Sequence, residues 1–202
     1  DSSSSVAHLS GIGLKSIPPQ ISLFSTLRAV NLSRNSIVTI SPGSLPKGLR
    51  ALDLSKNKIH TVEGLKDLVR LRVLNLSRNR ISRIGQGLSG CTAIKELNLS
   101  GNKISVVDGM HRLLKLTVLD LSFNKITEAK ALGQLVANYD SLLALNLSGN
   151  PLQSSLSYIQ IQRTVAGLLP KLALLNKQPI NSQKAREIRG DANAKAALGN
   201  GT

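Results

Sequence analysis

The sequence predicts an α/β solenoid: stacked coils with a parallel β-sheet on the concave face, helical or 3-10 return segments on the convex face, and a helical cap at the C-terminal end. Three observations lead there. Asn35, Asn57, Asn79, Asn102, Asn124 and Asn150 recur at spacings of 22, 22, 23, 22 and 26 residues, and self-similarity at such a period marks a repeat array. Each of them closes the same phrase, for example LRALDLSKNKI or LTVLDLSFNKI. Finally, the apolar content is almost wholly aliphatic, with Phe24, Phe123, Tyr139 and Tyr158 the only aromatics among 202 residues, which suits near-identical stacked layers.

In each phrase two apolar residues sit two apart, as Leu52 and Leu54 do, so they point inward from a short strand while their neighbours point out. Apolar residues then follow at threes, as in Ile59, Val62, Leu65, Leu68 and Leu71, which predicts a tightly wound return. One coil cannot bury its own apolar edge, so the coils stack. Seven coils over residues 6–155, the first degenerate with Ile12 in place of the asparagine, give a sheet about 30 Å across at the usual strand spacing. The helical spacing of Ile161, Val165 and Leu168 or Leu169, closed by Pro170, predicts a cap over 156–181. Residues 1–5 read as a linker and 182–202 as a short helix and a disordered tail, as if taken from a longer chain.

Lys and Arg number 26 against 11 Asp and Glu, a formal +15, and such an excess draws anionic partners. One cysteine, Cys91, excludes an internal disulfide and favours a reducing, intracellular compartment, cytoplasmic or nuclear. No apolar run is long enough to insert in a membrane. His8, His60 and His111 are dispersed, and no metal-ligating spacing, glycine-rich phosphate loop or carboxylate pair occurs. The expectation is therefore a protein that is not an enzyme, with no cofactor, metal or small-molecule substrate.

The phrase LxxLxLSxNxIxxI at a 22-residue period, ending in the LPxLxxL of Leu169–Leu175, resembles the intracellular 22-residue class of leucine-rich repeats over residues 6–181. That class includes a regulatory subunit of protein phosphatase 1 and the axonemal outer-arm dynein light chain. The stretches SLPKGLRALDLSKNKI and GQLVANYDSLLALNLSGNP are similar in wording to plant proteins of the dynein-light-chain-like type. The resemblance implies a noncatalytic adaptor or regulatory subunit that holds its partner on the concave face.

The register sorts the candidate site residues into columns. The ladder asparagines, Asn35, Asn57, Asn79, Asn102, Asn124 and Asn150, read as structural, each amide bonding backbone of its own and the neighbouring coil. The outward column runs His8, Asn31, Asp53, Asn75, Asn98, Asp120 and Asn146, and the next is serine throughout, from Ser10 and Ser33 to Ser148. Just before the ladder stand Arg34, Lys56 and Arg78, then Gly101, Phe123 and Gly149. At the start of each strand a second basic column runs Arg28, Arg50, Arg72 and Lys95 before Thr117 and Leu143.

Two basic rims around a polar trough over coils two to five predict a protein partner with an acidic or phosphorylated segment. Arg28, Arg34, Arg50, Asp53, Lys56, Arg72, Asn75, Arg78, Asn98, Asp120 and Phe123 are the expected contacts, with Phe123 as an aromatic anchor. The row Lys58, Arg80, Lys103 and Lys125 reads as solvated, and Cys91, Phe24 and Tyr139 as core filling. Nucleic acid is the rival partner on charge alone; it ranks lower because base-stacking aromatics are scarce.

Overall fold

The computed structural model describes residues 4–180; the expected tail and the first three residues of the expected linker lie outside them. Among the described residues nine strands form one sheet in sequence order: β1 (Val6–His8), β2 (Ala29–Asn31), β3 (Ala51–Asp53), β4 (Val73–Asn75), β5 (Glu96–Asn98), β6 (Val118–Asp120), β7 (Ala144–Asn146), β8 (Leu174–Leu175) and β9 (Gln178–Pro179). All neighbours run parallel except β8 and β9. The register sets Val30, Leu52, Leu74, Leu97, Leu119 and Leu145 in one row, each at most 2% exposed. That row and its partner two residues on, Leu32 to Leu147, form the inner wall of the core, the in-facing half of the alternation.

Most returns are strings of tight turns. In coil three Leu68 N–H donates to Leu65 O and Leu71 N–H to Leu68 O; in coil four Cys91 and Ile94 repeat the pattern. These three-residue steps explain why every third side chain, from Ile59 to Leu71, is buried. Continuous 3-10 helix forms at Pro19–Leu23 and Ala129–Asn138.

The ladder joins the coils. Asn102 Nδ2 donates to Leu99 O and Ser100 O of its own coil and to Leu76 O of the coil before, and its Oδ1 accepts from Ile81 N at 3.0 Å. Asn57, Asn79 and Asn124 repeat this set. One side chain thus satisfies buried backbone groups in two coils, which are costly to leave unpaired.

The C-terminal end holds more than the sequence suggested. Two helices, α1 (Leu152–Ser155) and α2 (Tyr158–Leu168), lead into β8, which extends the parallel sheet by one strand, and β9 folds back over its edge. Helix α2 starts at a capping box in which Ser157 Oγ accepts from Gln160 N–H and Gln160 Oε1 from Ser157 N–H. It buries Ile161 and Val165, followed by Leu169, so the apolar end of coil seven is covered. At the other end, Ser5 O accepts from Arg28 and Ala29 N–H, so the inter-coil ladder starts inside the segment expected as linker.

Two residues expected in the core lie outside it. Phe24 is 42% exposed, because it ends the 3-10 helix Pro19–Leu23, in which Ile21 takes the inward place. Tyr139 is 55% exposed; the 3-10 helix before it places Asn138 inward instead, 1% exposed, with Nδ2 donating to Met110 O and Leu113 O. Cys91 is fully buried, its Sγ 3.2 Å from Leu65 O, and burial pushes the thiol from its ordinary 9.0 up to about 11. The thiol is therefore a packing group with little thiolate character.

Candidate functional site

Each strand presents two outward residues to the concave face. The second, the Asp or Asn column, is tied down by its own turn. Asp53 Oδ1 accepts from Ser55 N–H at 2.9 Å and Ser55 Oγ at 2.6 Å, and Asp120 holds Ser122 the same way. Asn75 and Asn98 accept from the N–H of Ser77 and Ser100. One oxygen of each side chain shapes the turn and the other end faces the trough. The serine column, expected to face outward, is largely drawn in: Ser33, Ser55, Ser77 and Ser122 are buried. The same turn explains it, since the chain leaves the sheet plane at the serine.

The first outward position had no place among the expected contacts, although the strand alternation points to it. It carries Ala29, Ala51, Val73, Glu96, Val118 and Ala144. Of these, Val73, Glu96, Val118 and Ala144 line, with Asn75, Asn98, Asp120 and Asn146, a concave hollow of about 350 Å³ running from β4 to β8, with Leu174 and Lys177 at one end. The floor is therefore apolar and polar by turns, with Glu96 and Asp120 as its acids. The positive charge sits on the rims and not on the floor. This hollow lies over later coils than the expected trough, because the β8–β9 turn supplies its end wall.

The trailing rim carries Arg34, Lys56, Arg78 and Phe123, all exposed. Each has a left-handed backbone, φ from 54 to 57°, and the equivalent Gly101 and Gly149 stand at 68 and 72°. The two glycines make room for their neighbours. A Cβ on Gly149 would stand 2.4 Å from Phe123 Cδ1, so the Phe123 ring, 65% exposed, lies across that glycine. A Cβ on Gly101 would stand 3.1 Å from Arg78 Cγ, so the Arg78 stem lies over it likewise.

On the leading rim Arg50 and Arg72 are exposed and Lys95 half-buried. Arg28 differs from its column: its Nη1 donates to Ser25 O at 2.9 Å and Leu27 O at 3.0 Å, folding the guanidinium onto its own coil. A wider hollow of about 770 Å³ among the returns of coils three and four has mixed charge, with Glu63, Lys66, Asp67 and Arg83 around it. Among the described residues no group of three or more His, Cys, Asp or Glu side chains is placed to hold a metal. Among them, too, no helix is long and apolar enough to cross a membrane.

A solenoid of this register, strand phrase and asparagine ladder defines the class. The chain belongs to the leucine-rich-repeat family: residues 25–81, 47–104 and 70–126 each match the leucine rich repeat model, together half of the chain. Such repeats typically mediate protein–protein interaction and are generally noncatalytic.

Among solved structures, a leucine-rich-repeat protein of Leptospira interrogans is similar at a TM-score of 0.64 and 25% identity, over 80% of this chain and 40% of that one. An internalin of Listeria monocytogenes is similar in fold at a TM-score of 0.65 and 23% identity, over 94% of this chain and 56% of that one. The chain thus spans well under two thirds of either neighbour. No curated protein matches it in sequence. The repeat family is what these comparisons carry; the narrower likeness to phosphatase subunits and dynein light chains stays an expectation of the sequence.

Proposed function

We propose that this chain is a noncatalytic protein-interaction module whose concave face receives an extended acidic or phosphorylated segment of an intracellular partner. The observation that carries the reading is the hollow along β4 to β8, where Val73, Val118 and Ala144 offer apolar contacts and the free ends of Asn75, Asn98 and Asp120 offer hydrogen bonds. The two columns run side by side across the strands, so an extended segment lying along the hollow meets apolar contacts on one flank and hydrogen-bonding groups on the other. Arg78 on one side and Arg72 and Lys95 on the other flank the first coils of the hollow, and Arg34, Lys56 and Arg50 continue the positive rims over β2 and β3. Rims of one sign steer an oppositely charged segment and set its register, while the central floor supplies most of the affinity. Phe123, held open across Gly149, stands at the margin as an aromatic anchor.

The test is partner capture from cell extract with the parent chain and two variants. Reversal of Arg34, Lys56 and Arg78 to Glu, and separately Val118→Arg in the floor, should each deplete the captured proteins while circular dichroism stays unchanged. A captured set identical for the parent and both folded variants would overturn the reading.

A further inference from the structure

Beyond the groove, the leading rim holds a compact cluster of cations that the strand-start column does not by itself reveal. Arg50, Arg72 and Lys95 are joined by Arg70 and Lys115, which stand two residues before the strand-start column. The five surround a hollow of about 360 Å³. It exists because Ala93 occupies the place between Arg70 and Lys115 in that second column, so a methyl group stands where its neighbours have long cationic chains. No carboxylate lines it among the described residues. Both ends are bounded: Arg28 is turned away onto Ser25 O and Leu27 O, and Thr117 ends the basic column.

We infer that this hollow is a recognition site for a phosphate monoester carried on a partner protein. The inference rests on the groove reading and adds to it where the phosphate goes. A phosphorylated side chain brings close to two negative charges and three acceptor oxygens, and guanidinium groups meet these in paired hydrogen bonds that a single carboxylate uses less fully. Five cations gathered without a counter-charge repel one another, so a dianion relieves that repulsion as it binds. Size also decides between partners. With neighbouring strands about 4.8 Å apart, Arg50 to Lys95 spans about 10 Å, enough for one or two phosphates and too short for a nucleic-acid track. None of the four aromatic residues lines the hollow to stack a base.

The test uses the full chain and a peptide pool of random sequence with one fixed phosphoserine, beside twin pools bearing serine or glutamate there, titrated at physiological salt. The phosphoserine pool should bind at least about tenfold tighter than either twin. That advantage should vanish in Arg50→Gln with Arg72→Gln and persist in Lys103→Gln with Lys125→Gln, exposed lysines outside both rims. Inorganic phosphate added to the unaltered chain should shift backbone amide resonances around residues 70–72 and 93–95 first. Equal binding of the glutamate pool, equal loss in both double variants, phosphate shifts centred elsewhere, or displacement of the peptide by a short polyuridine that binds more tightly would each overturn the site. Val118→Arg separates the two readings: it blocks the groove and leaves the phosphate-induced shifts intact.

Discussion

Arg34, Lys56, Arg78 and Phe123 adopt a backbone region in which an L-residue pays roughly 1–2 kcal/mol against the right-handed alternative. Gly101 and Gly149 show what the position accepts without that strain. A long side chain kept there at a cost to stability points to use of the side chain itself, since strain of this kind gathers where a surface has work to do. Lys56→Gly should therefore leave stability unchanged or raise it by up to about 1 kcal/mol, while partner capture weakens. A fall in the denaturation midpoint would mean that the lysine stem is needed for packing. The column itself was legible, because Arg, Lys, Arg, Gly, Phe, Gly before an invariant asparagine stands out in the sequence. Its backbone angle was not, because it depends on the hydrogen bonds from Arg34 N–H to Ser55 O and from Lys56 N–H to Ser77 O, which cross between coils.

A coil is the element here, and its integrity depends on one polar side chain. Asn102→Ala would leave Ile81 N–H without its acceptor inside the core, and would leave Leu76 O and Leu99 O with one amide donor each, from Asn79 and Asn124. The expected loss is roughly 1–3 kcal/mol, read as a lower denaturant midpoint, and an unchanged midpoint would contradict the ladder. Exposed Lys103, one residue away, serves as the control for any general effect of substitution in this turn. The strands and the threefold spacing of the returns were legible because each coil repeats them. Phe24 and Tyr139 were misplaced for the same reason. Extrapolating the register assumes an unvarying return, whereas coil one carries the 3-10 helix Pro19–Leu23 and coil six the long 3-10 helix Ala129–Asn138.

Over the whole molecule, a formal charge of +15 makes some attraction to any polyanion unavoidable. Generic single-stranded RNA should bind at about 50 mM salt and lose most of its affinity by about 200 mM, because counterion release supplies nearly all of that free energy. RNA affinity that persists at the higher salt would favour nucleic acid as the partner. Binding of a phosphorylated peptide should fall less steeply, since it adds paired hydrogen bonds and apolar floor contacts to the Coulomb attraction.

The sequence by itself determined the solenoid, the inward leucines, the asparagine ladder and the order of residues in the two basic columns. All of these follow from a local rule applied at a fixed period, so one chain segment predicts the next. Only the tertiary structure decided where surfaces converge. Ala93 opens a space between Arg70 and Lys115, Arg28 folds away from its column, the β8–β9 turn walls off the concave hollow, and Gly149 lets Phe123 lie flat. These outcomes depend on which side chain in one coil meets which in the next. The period sets that distance, while the residues that break the period decide what the surface can hold.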